Sequence, residues 1–129
     1  MALDALLNLQ GLTTKNATFS SAALNLKGTP RRGLKAKVFY SAAANTSGAN
    51  NVYFQIDNSQ DGVNWFPLAF QLENTGAVQG LPLTTVPIAG ELNIPFETSA
   101  PFVRLTLNVA GAGTAPAVTY SSQIGIARP

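Results

Sequence analysis

The alternation of apolar and polar residues with a period of two is the feature that most constrains the fold of this chain. The segment PFVRLTLNVA shows it best, since Val103, Leu105 and Leu107 are each separated by one polar residue. This pattern is typical of a β-strand that has one face on a core and the other in solvent. We therefore expect Leu105 to be buried. We expect Arg104 to face solvent, so that its loss costs the fold far less than the loss of Leu105.

Similar patterns recur along the chain and together predict about eight strands. LKAKVFYSA, NVYFQID and AVTYSSQIGIA alternate in the same way. Weaker strand patterns lie at 18–27, 64–72, 82–88 and 91–96. Turn-forming clusters separate them, namely KGTPRRG, ANTSGANN, ENTGAVQG and AGAGTAP. Short strands between such turns are typical of an all-β fold, so the predicted fold class is all-β, an antiparallel jelly roll or β-sandwich.

The start of the chain is ambiguous, because the spacing of its leucines is compatible with both a helix and a strand. We predict an extended N-terminal arm at 1–16 and a single β-sandwich domain at 17–129. The 129 residues, of which 46% are hydrophobic, are enough for one core. The opening MALDALLNLQGLTTK has no basic segment and reaches Asp4 before any long apolar run. We therefore expect neither a secretory signal nor a membrane span.

The chain contains neither histidine nor cysteine, which limits the chemistry available to it. It cannot form disulfides, thiolate or imidazole metal sites, or nucleophile pairs that depend on histidine. It has no glycine-rich phosphate loop that leads into a predicted helix. We therefore expect no enzymatic activity and no cofactor.

The motif that most suggests a ligand site is QIDNSQDGVNW. The run from Asp57 to Gly62 matches the opening of a calcium loop, but position 12, where a bidentate glutamate belongs, is Leu68. A hairpin corner explains the same residues, because Asn, Ser and Asp bond locally to the backbone and glycine accepts a positive φ. Such a turn is also a poor place to hold Asp57 and Asp61 as a carboxylate pair for glycoside hydrolysis. We expect a hairpin corner and no metal.

The return strand after this corner begins at Trp65 and Phe66. Leu68, Phe70 and Leu72 follow at the period of a strand, so we expect them to share one apolar face. We expect Trp65 to pack in the core or at the corner rather than to act as a platform for a ligand.

Charged residues are sparse, at 11%, and they are unevenly distributed. Residues 1–56 carry a net charge of +5 and residues 57–129 a net charge of −3. The basic segment 27–37 is interrupted by GTP and GL, so it does not form the continuous stripe of a nucleic-acid site. We expect no nucleic-acid partner. A neutral surface rich in Ala, Thr, Ser and Asn instead suits close contact with other proteins.

The order of these features resembles the small jelly-roll decoration, or cement, proteins of tailed bacteriophage capsids. The resemblance covers residues 17–127 and rests on the order of SSAALNLKGTPRRGLKAKVFY, the DGVNW hairpin, IPFETSAPFVRL and TYSSQI. It implies a non-enzymatic virion protein that binds the outside of an assembled capsid and cements neighbouring major capsid proteins. It also implies a homo-oligomer, a dimer or a trimer. Such a protein would be made in the host cytoplasm and would lie on the outer capsid surface.

Two segments are expected to contact such a partner. The arm would supply apolar side chains, and 27–37 would supply basic ones that pair with an acidic capsid surface. The candidate partner-binding residues are Leu3, Leu6, Leu7, Leu9, Arg31, Arg32 and Lys35. The alternative is a carbohydrate- or receptor-binding β-sandwich module of a phage tail or spike. Several exposed aromatic side chains would be expected in such a module, whereas the single Trp and most Phe residues here fit apolar faces.

Overall fold

The computed structural model describes residues 7–26, 32–42, 50–70, 88–111 and 117–126. All the regular elements in these ranges are β-strands. They are β1 (Leu7–Lys15), β2 (Phe19–Ser20), β3 (Leu24–Asn25), β4 (Leu34–Ala42), β5 (Asn50–Ser59), β6 (Phe66–Phe70), β7 (Ile88–Phe96), β8 (Phe102–Gly111) and β9 (Val118–Ile126). The described ranges contain no helix long and apolar enough to cross a membrane.

The strands form two antiparallel sheets that pack against each other. The four-stranded sheet has the order β1-β9-β4-β7, and the five-stranded sheet has the order β2-β8-β5-β6, with β3 also paired to β8. The central strand β4 pairs along its whole length with both β7 and β9. In the other sheet β5 pairs with β8 along its whole length. The predicted all-β, antiparallel sandwich is confirmed.

The core lies between the two sheets and consists of the apolar residues that face inward at every second position of the strands. Leu105 is 1% exposed, as the strand pattern predicts. The ring of Phe54 on β5 meets the ring of Tyr120 on β9 edge-on, with 5.2 Å between the centroids, and this contact joins the two sheets. The buried hydrophobic residues of β4, β5 and β8 are Leu34, Ala36, Val38, Ala42, Val52, Phe54, Ile56, Val103, Leu105 and Leu107. The predicted phase of these three strands is confirmed.

Strand β9 also carries hydroxyl groups into this core. Tyr120 and Ser122 are almost fully buried, and within the described residues neither side-chain oxygen has a hydrogen-bond partner. Burial raises the pKa of Tyr120 to about 12, because the phenolate would lose its hydration. An unpaired buried hydroxyl costs stability, so this part of the core is not optimised for stability alone.

Most of the predicted arm that the structure describes is a strand of the sandwich. Strand β1 pairs antiparallel with β9 and shifts register twice, the second time between Gln10 and Thr13. Leu9 is 4% exposed and belongs to the core, whereas Leu12 is 77% exposed. Residues 7–15 are therefore extended, but they belong to the four-stranded sheet rather than to a separate arm. The register shifts disturb the alternation of side chains, which is why the sequence pattern did not identify this strand.

The weaker predicted strands are found in modified form. The segment 18–27 contains the short strands β2 and β3, and 64–72 contains β6. The segment 91–96 is the second part of β7, which begins at Ile88. The rest of the segment 82–88 lies outside the described residues.

Candidate functional site

Each sheet has an outer face that points away from the core, and both faces are candidate sites. The outer face of the four-stranded sheet is called the lysine face, and its described residues include Lys35, Lys37, Phe39, Ser41, Glu91, Asn93, Ser121 and Gln123. The outer face of the five-stranded sheet is called the arginine face, and its described residues include Tyr53, Gln55, Asp57, Trp65, Phe70, Arg104, Thr106 and Asn108. The two faces lie on opposite sides of the sandwich.

Asp57 is the centre of the arginine face. It is only 2% exposed, although it lies on the outer side of β5. Its Oδ2 accepts hydrogen bonds from Arg104 Nε at 3.0 Å and from Thr106 Oγ1 at 2.6 Å. Its Oδ1 accepts a hydrogen bond from Gln55 Nε2 at 2.6 Å, and Asn108 Nδ2 donates to Gln55 Oε1 at 2.8 Å. These donors compensate the carboxylate for the water it loses.

Trp65 covers Arg104 from the corner of the β5–β6 hairpin. The guanidinium carbon lies 4.4 Å from the centroid of the Trp65 ring, the geometry of a cation–π stack. Of the three side-chain nitrogen atoms of Arg104, only Nε donates a hydrogen bond to another described residue. The Arg104 side chain is 26% exposed. Trp65 is half-buried and lies outside the core cluster. Trp65 thus packs at the corner, which is one of the two places that the sequence predicted for it.

The hairpin corner is held by Ser59 and Asp61. Asp61 Oδ1 accepts hydrogen bonds from the backbone N–H groups of Asn64 at 2.8 Å and Val63 at 2.9 Å, and the Gly62 N–H donates to Ser59 Oγ at 2.8 Å. The hydrogen bonds that Asp61 accepts, chiefly those from the backbone N–H groups of Asn64 and Val63, hold the pKa of its carboxyl well below the usual range. Gly62 has a φ of +76°, which few other residues adopt. The predicted hairpin corner is confirmed.

The two aspartates of the calcium-like motif serve different purposes in this geometry. The carboxylate of Asp57 is paired with Arg104 across the sheet, whereas that of Asp61 accepts the hydrogen bonds of the turn. Each carboxylate is thus engaged by its own set of hydrogen-bond donors. In the ranges that the structure describes, no group of three or more His, Cys, Asp or Glu residues could hold a metal ion.

Strand β6 departs from the expected phase. Its pairing with β5 shifts register once. Leu68 packs against the core, whereas Phe70 lies opposite Gln55 with its ring centroid 6.3 Å from that of Tyr53. The prediction that Leu68 and Phe70 share an apolar face is therefore wrong, because the irregular residue moves the alternation by one position. Phe70 instead adds an aromatic ring to the arginine face, and Leu72 lies outside the described residues.

The lysine face is more open. Phe39 lies near its centre and is 42% exposed. Lys37 Nζ lies 6.0 Å from the centroid of the Phe39 ring and 3.8 Å from Glu91 Oε2, and both side chains of this ion pair are well solvated. A solvated pair of this length contributes little to stability. This face therefore combines an exposed aromatic ring with partly solvated charged side chains.

The predicted partner-binding residues that the structure describes do not form one surface. Lys35 lies on the lysine face, whereas Arg32 is exposed before β4 with its Nε 3.9 Å from Glu97 Oε2. Leu9 is in the core, so its side chain cannot contact a partner while the four-stranded sheet is intact. Leu7 of β1 pairs with Ile124 of β9. Leu3, Leu6 and Arg31 lie outside the described residues.

The sequence reasoning missed Phe39 and Arg104 as candidate site residues. Phe39 occupies an outward position of β4, between Lys37 and Ser41, and the alternation alone could have identified it as an exposed aromatic. Arg104 was identified as outward, but the alternation gives no sign that Asp57 lies opposite it. Its role in the arginine face depends on the register between two strands.

Comparison with known proteins gives little beyond the fold. No protein-family model and no curated protein matches the chain. One similar solved structure is that of the CBM22-1 and GH10 modules of the N-terminal endo-1,4-beta-D-xylanase 10B of Clostridium thermocellum, complexed with xylohexaose. The match covers 99% of this chain and 27% of that one, with a TM-score of 0.43 and 11% sequence identity. The chain thus spans about a quarter of that structure, and a similarity this low supports no argument about function.

Proposed function

We propose that this chain is a virion structural protein that binds the outer surface of an assembled bacteriophage capsid and cements neighbouring major capsid proteins. The resemblance described above is the origin of the proposal. The strand order supports it, because β1 pairs with β9, β2 and β3 pair with β8, and β4 and β5 pair with the same two late strands. This nesting of early strands against late ones is the order expected of a jelly roll.

The observation that carries the proposal is the lysine face. It is a regular outer surface on which the exposed ring of Phe39 is surrounded by hydroxyl, amide and lysine side chains. Protein interfaces commonly place an aromatic anchor within a polar rim that excludes water. Lys35 adds positive charge beside the ion pair of Lys37 with Glu91, and this charge favours an acidic partner. A capsid surface of that character would cover Phe39 and pair with the lysines.

The edge of β1 that no described strand pairs with offers a second contact, suited to a neighbouring copy of the chain. Strand β1 is at the edge of the four-stranded sheet, and Leu12 on it is 77% exposed. An exposed edge strand with an apolar side chain is a ready site for association. We assign this edge to the contact that makes the protein a dimer or a trimer.

Co-sedimentation with undecorated capsids of the phage that encodes the chain tests the proposal. Phe39→Ala should weaken capsid binding by about tenfold or more, because an aromatic anchor is lost. Phe66→Ala is the matched control, since Phe66 is 65% exposed but lies on β6 of the other sheet, and it should bind as the parent does. A parent protein that does not co-sediment, or two variants with equal affinity, would contradict the proposal.

Light scattering tests the contact at the β1 edge separately. Leu12→Asp should reduce the mass of the free oligomer to that of a monomer, because it places a charge on the exposed edge. A point substitution is preferable to truncation, since removal of β1 would also remove Leu9 from the core. A Leu12→Asp variant with the parent mass would place the oligomer contact elsewhere.

A further inference from the structure

We propose that the arginine face is a binding site for a neutral oligosaccharide. This face lies on the other side of the sandwich from the lysine face, so capsid binding through the lysine face leaves it unused. It combines a fixed arginine, side-chain amides and aromatic rings. The inference rests on these residues alone and stands whether or not the capsid proposal is correct.

The first support is the way Arg104 is held. Its Nε donates to Asp57 Oδ2 at 3.0 Å, and its guanidinium carbon lies 4.4 Å from the centroid of the Trp65 ring. Neither Nη atom donates a hydrogen bond within the described residues, and the side chain is 26% exposed. The outer edge of the guanidinium therefore presents hydrogen-bond donors in a fixed position. Donors that are already ordered lose little entropy when a ligand binds.

The second support is the charge balance, which favours a neutral ligand over an anionic one. Arg104 is paired with the buried carboxylate of Asp57, so the pair has no net charge. Asp61, in the adjacent corner, adds a further carboxylate. A phosphate or carboxylate ligand would need positive charge that is not already compensated. A sugar hydroxyl needs only a donor and an acceptor, and the Nη atoms and the neighbouring amides supply both.

The third support is the arrangement of aromatic and amide groups along β5. Tyr53 and Phe70 place two rings on this face, with centroids 6.3 Å apart. Asn108 lies opposite Tyr53 and Gln55 lies opposite Phe70, and Asn108 Nδ2 donates a hydrogen bond of 2.8 Å to Gln55 Oε1. Tyr53 and Asp57 are four residues apart on one strand, which is about 13 Å. The C–H faces of sugar rings pack on aromatic rings while their hydroxyls bond to amides, and this length suits an oligosaccharide rather than a single sugar.

Tryptophan fluorescence provides a direct test, because Trp65 is the only tryptophan of the chain and lies on Arg104. The parent protein is titrated with cellohexaose, xylohexaose, mannohexaose, maltohexaose and chitohexaose, with hexagalacturonate as the anionic comparison. At least one neutral hexasaccharide should change the emission to saturation with a Kd of about 1 mM or lower. Absence of saturation by every neutral sugar, or tighter binding of hexagalacturonate, would overturn the proposal.

Variants then locate the site. Arg104→Lys keeps the charge but loses the planar donor edge, and it should weaken saccharide binding by about tenfold. Tyr53→Ala should weaken it to a similar extent from the far end of the face, without touching the Asp57 hydrogen bonds. Phe39→Ala on the lysine face is the control and should bind the sugar as the parent does. Thermal melts of each variant separate loss of binding from loss of folding.

Two results with the variants would overturn the proposal even if a sugar binds. Equal affinity of the parent, Arg104→Lys and Tyr53→Ala would place the saccharide elsewhere on the molecule. Loss of capsid co-sedimentation in the same two variants, with saccharide binding intact, would make the arginine face a protein contact instead.

Discussion

The lysine face and the arginine face arise from the same alternation of residues but differ in how their side chains are held. On the arginine face Asp57 is 2% exposed and accepts hydrogen bonds from three side chains. On the lysine face the ion pair between Lys37 and Glu91 is 3.8 Å long and open to solvent. An outward position in a strand therefore does not by itself make a side chain exposed, because the neighbours across the sheet decide its surroundings. The arginine face is preorganised, whereas the lysine face can adapt its side chains to a partner.

The largest expected effect tests the strand phase that defines the two faces. Leu105 lies on the inward side of β8, next to Arg104, and is 1% exposed. Leu105→Ala should lower the free energy of unfolding by about 2–5 kcal/mol, because it leaves a cavity in the core. Leu12→Ala, at a site 77% exposed, should change it by no more than about 0.5 kcal/mol. Urea denaturation measures both, and a Leu105→Ala variant as stable as the parent would mean that β8 is in the opposite phase.

The next effect compares the two ion pairs directly. Arg104→Ala should lower the free energy of unfolding by about 2–4 kcal/mol, because it leaves the carboxylate of Asp57 without its counter-charge. The sequence alone predicted a cost far below that of losing Leu105, whereas the ion pair with Asp57 predicts a cost of comparable size. Lys37→Ala should cost about 0.5 kcal/mol or less, because its pair with Glu91 is solvated. Equal midpoints of urea denaturation for the two variants would show that both faces are ordinary solvated surfaces.

The smallest effect is a pH dependence at the corner that holds Trp65. The folded-state pKa of Asp61 is lowered by the hydrogen bonds of the turn, so the unfolded chain takes up this proton more readily. The resulting stabilisation is fully present above about pH 4 and is lost as the pH falls through the folded-state value. Asp61→Asn removes it, so the difference in Tm between parent and variant should shrink between pH 7 and about pH 3. A constant difference across this range would mean that the turn does not depend on the carboxylate charge.

The features that sequence reasoning predicted are the local ones. The inward residues of β4, β5 and β8 follow from alternation, because a strand of regular pleat repeats every second residue. The hairpin corner follows from the side chains of Ser59 and Asp61 and from the glycine at position 62, whose preferences act within a few residues. These signals need no knowledge of the partner strand.

The features that it missed depend on pairing. Strand β1 and the end of β6 were misread because irregular residues break the alternation that identifies a strand. Asp57 and Arg104 are 47 residues apart, and only the register of β5 on β8 brings them together. The sequence did not predict the candidate site on the arginine face for this reason. Without the strand register, each of its residues is indistinguishable from any other outward residue of a strand.

The pairing of β1 with β9 also determines when the four-stranded sheet can form during synthesis. Strand β9 lies between β1 and β4, so it is the common neighbour that both require in the four-stranded sheet. At a synthesis rate of 5–20 residues per second, the roughly 100 residues between β1 and β9 take about 5–20 s to make. During that time β1, which carries Leu9, lacks the strand β9 with which it pairs in the sheet. Strand β9 therefore completes the four-stranded sheet, and a nascent chain that stops before Val118 lacks an inner strand of that sheet.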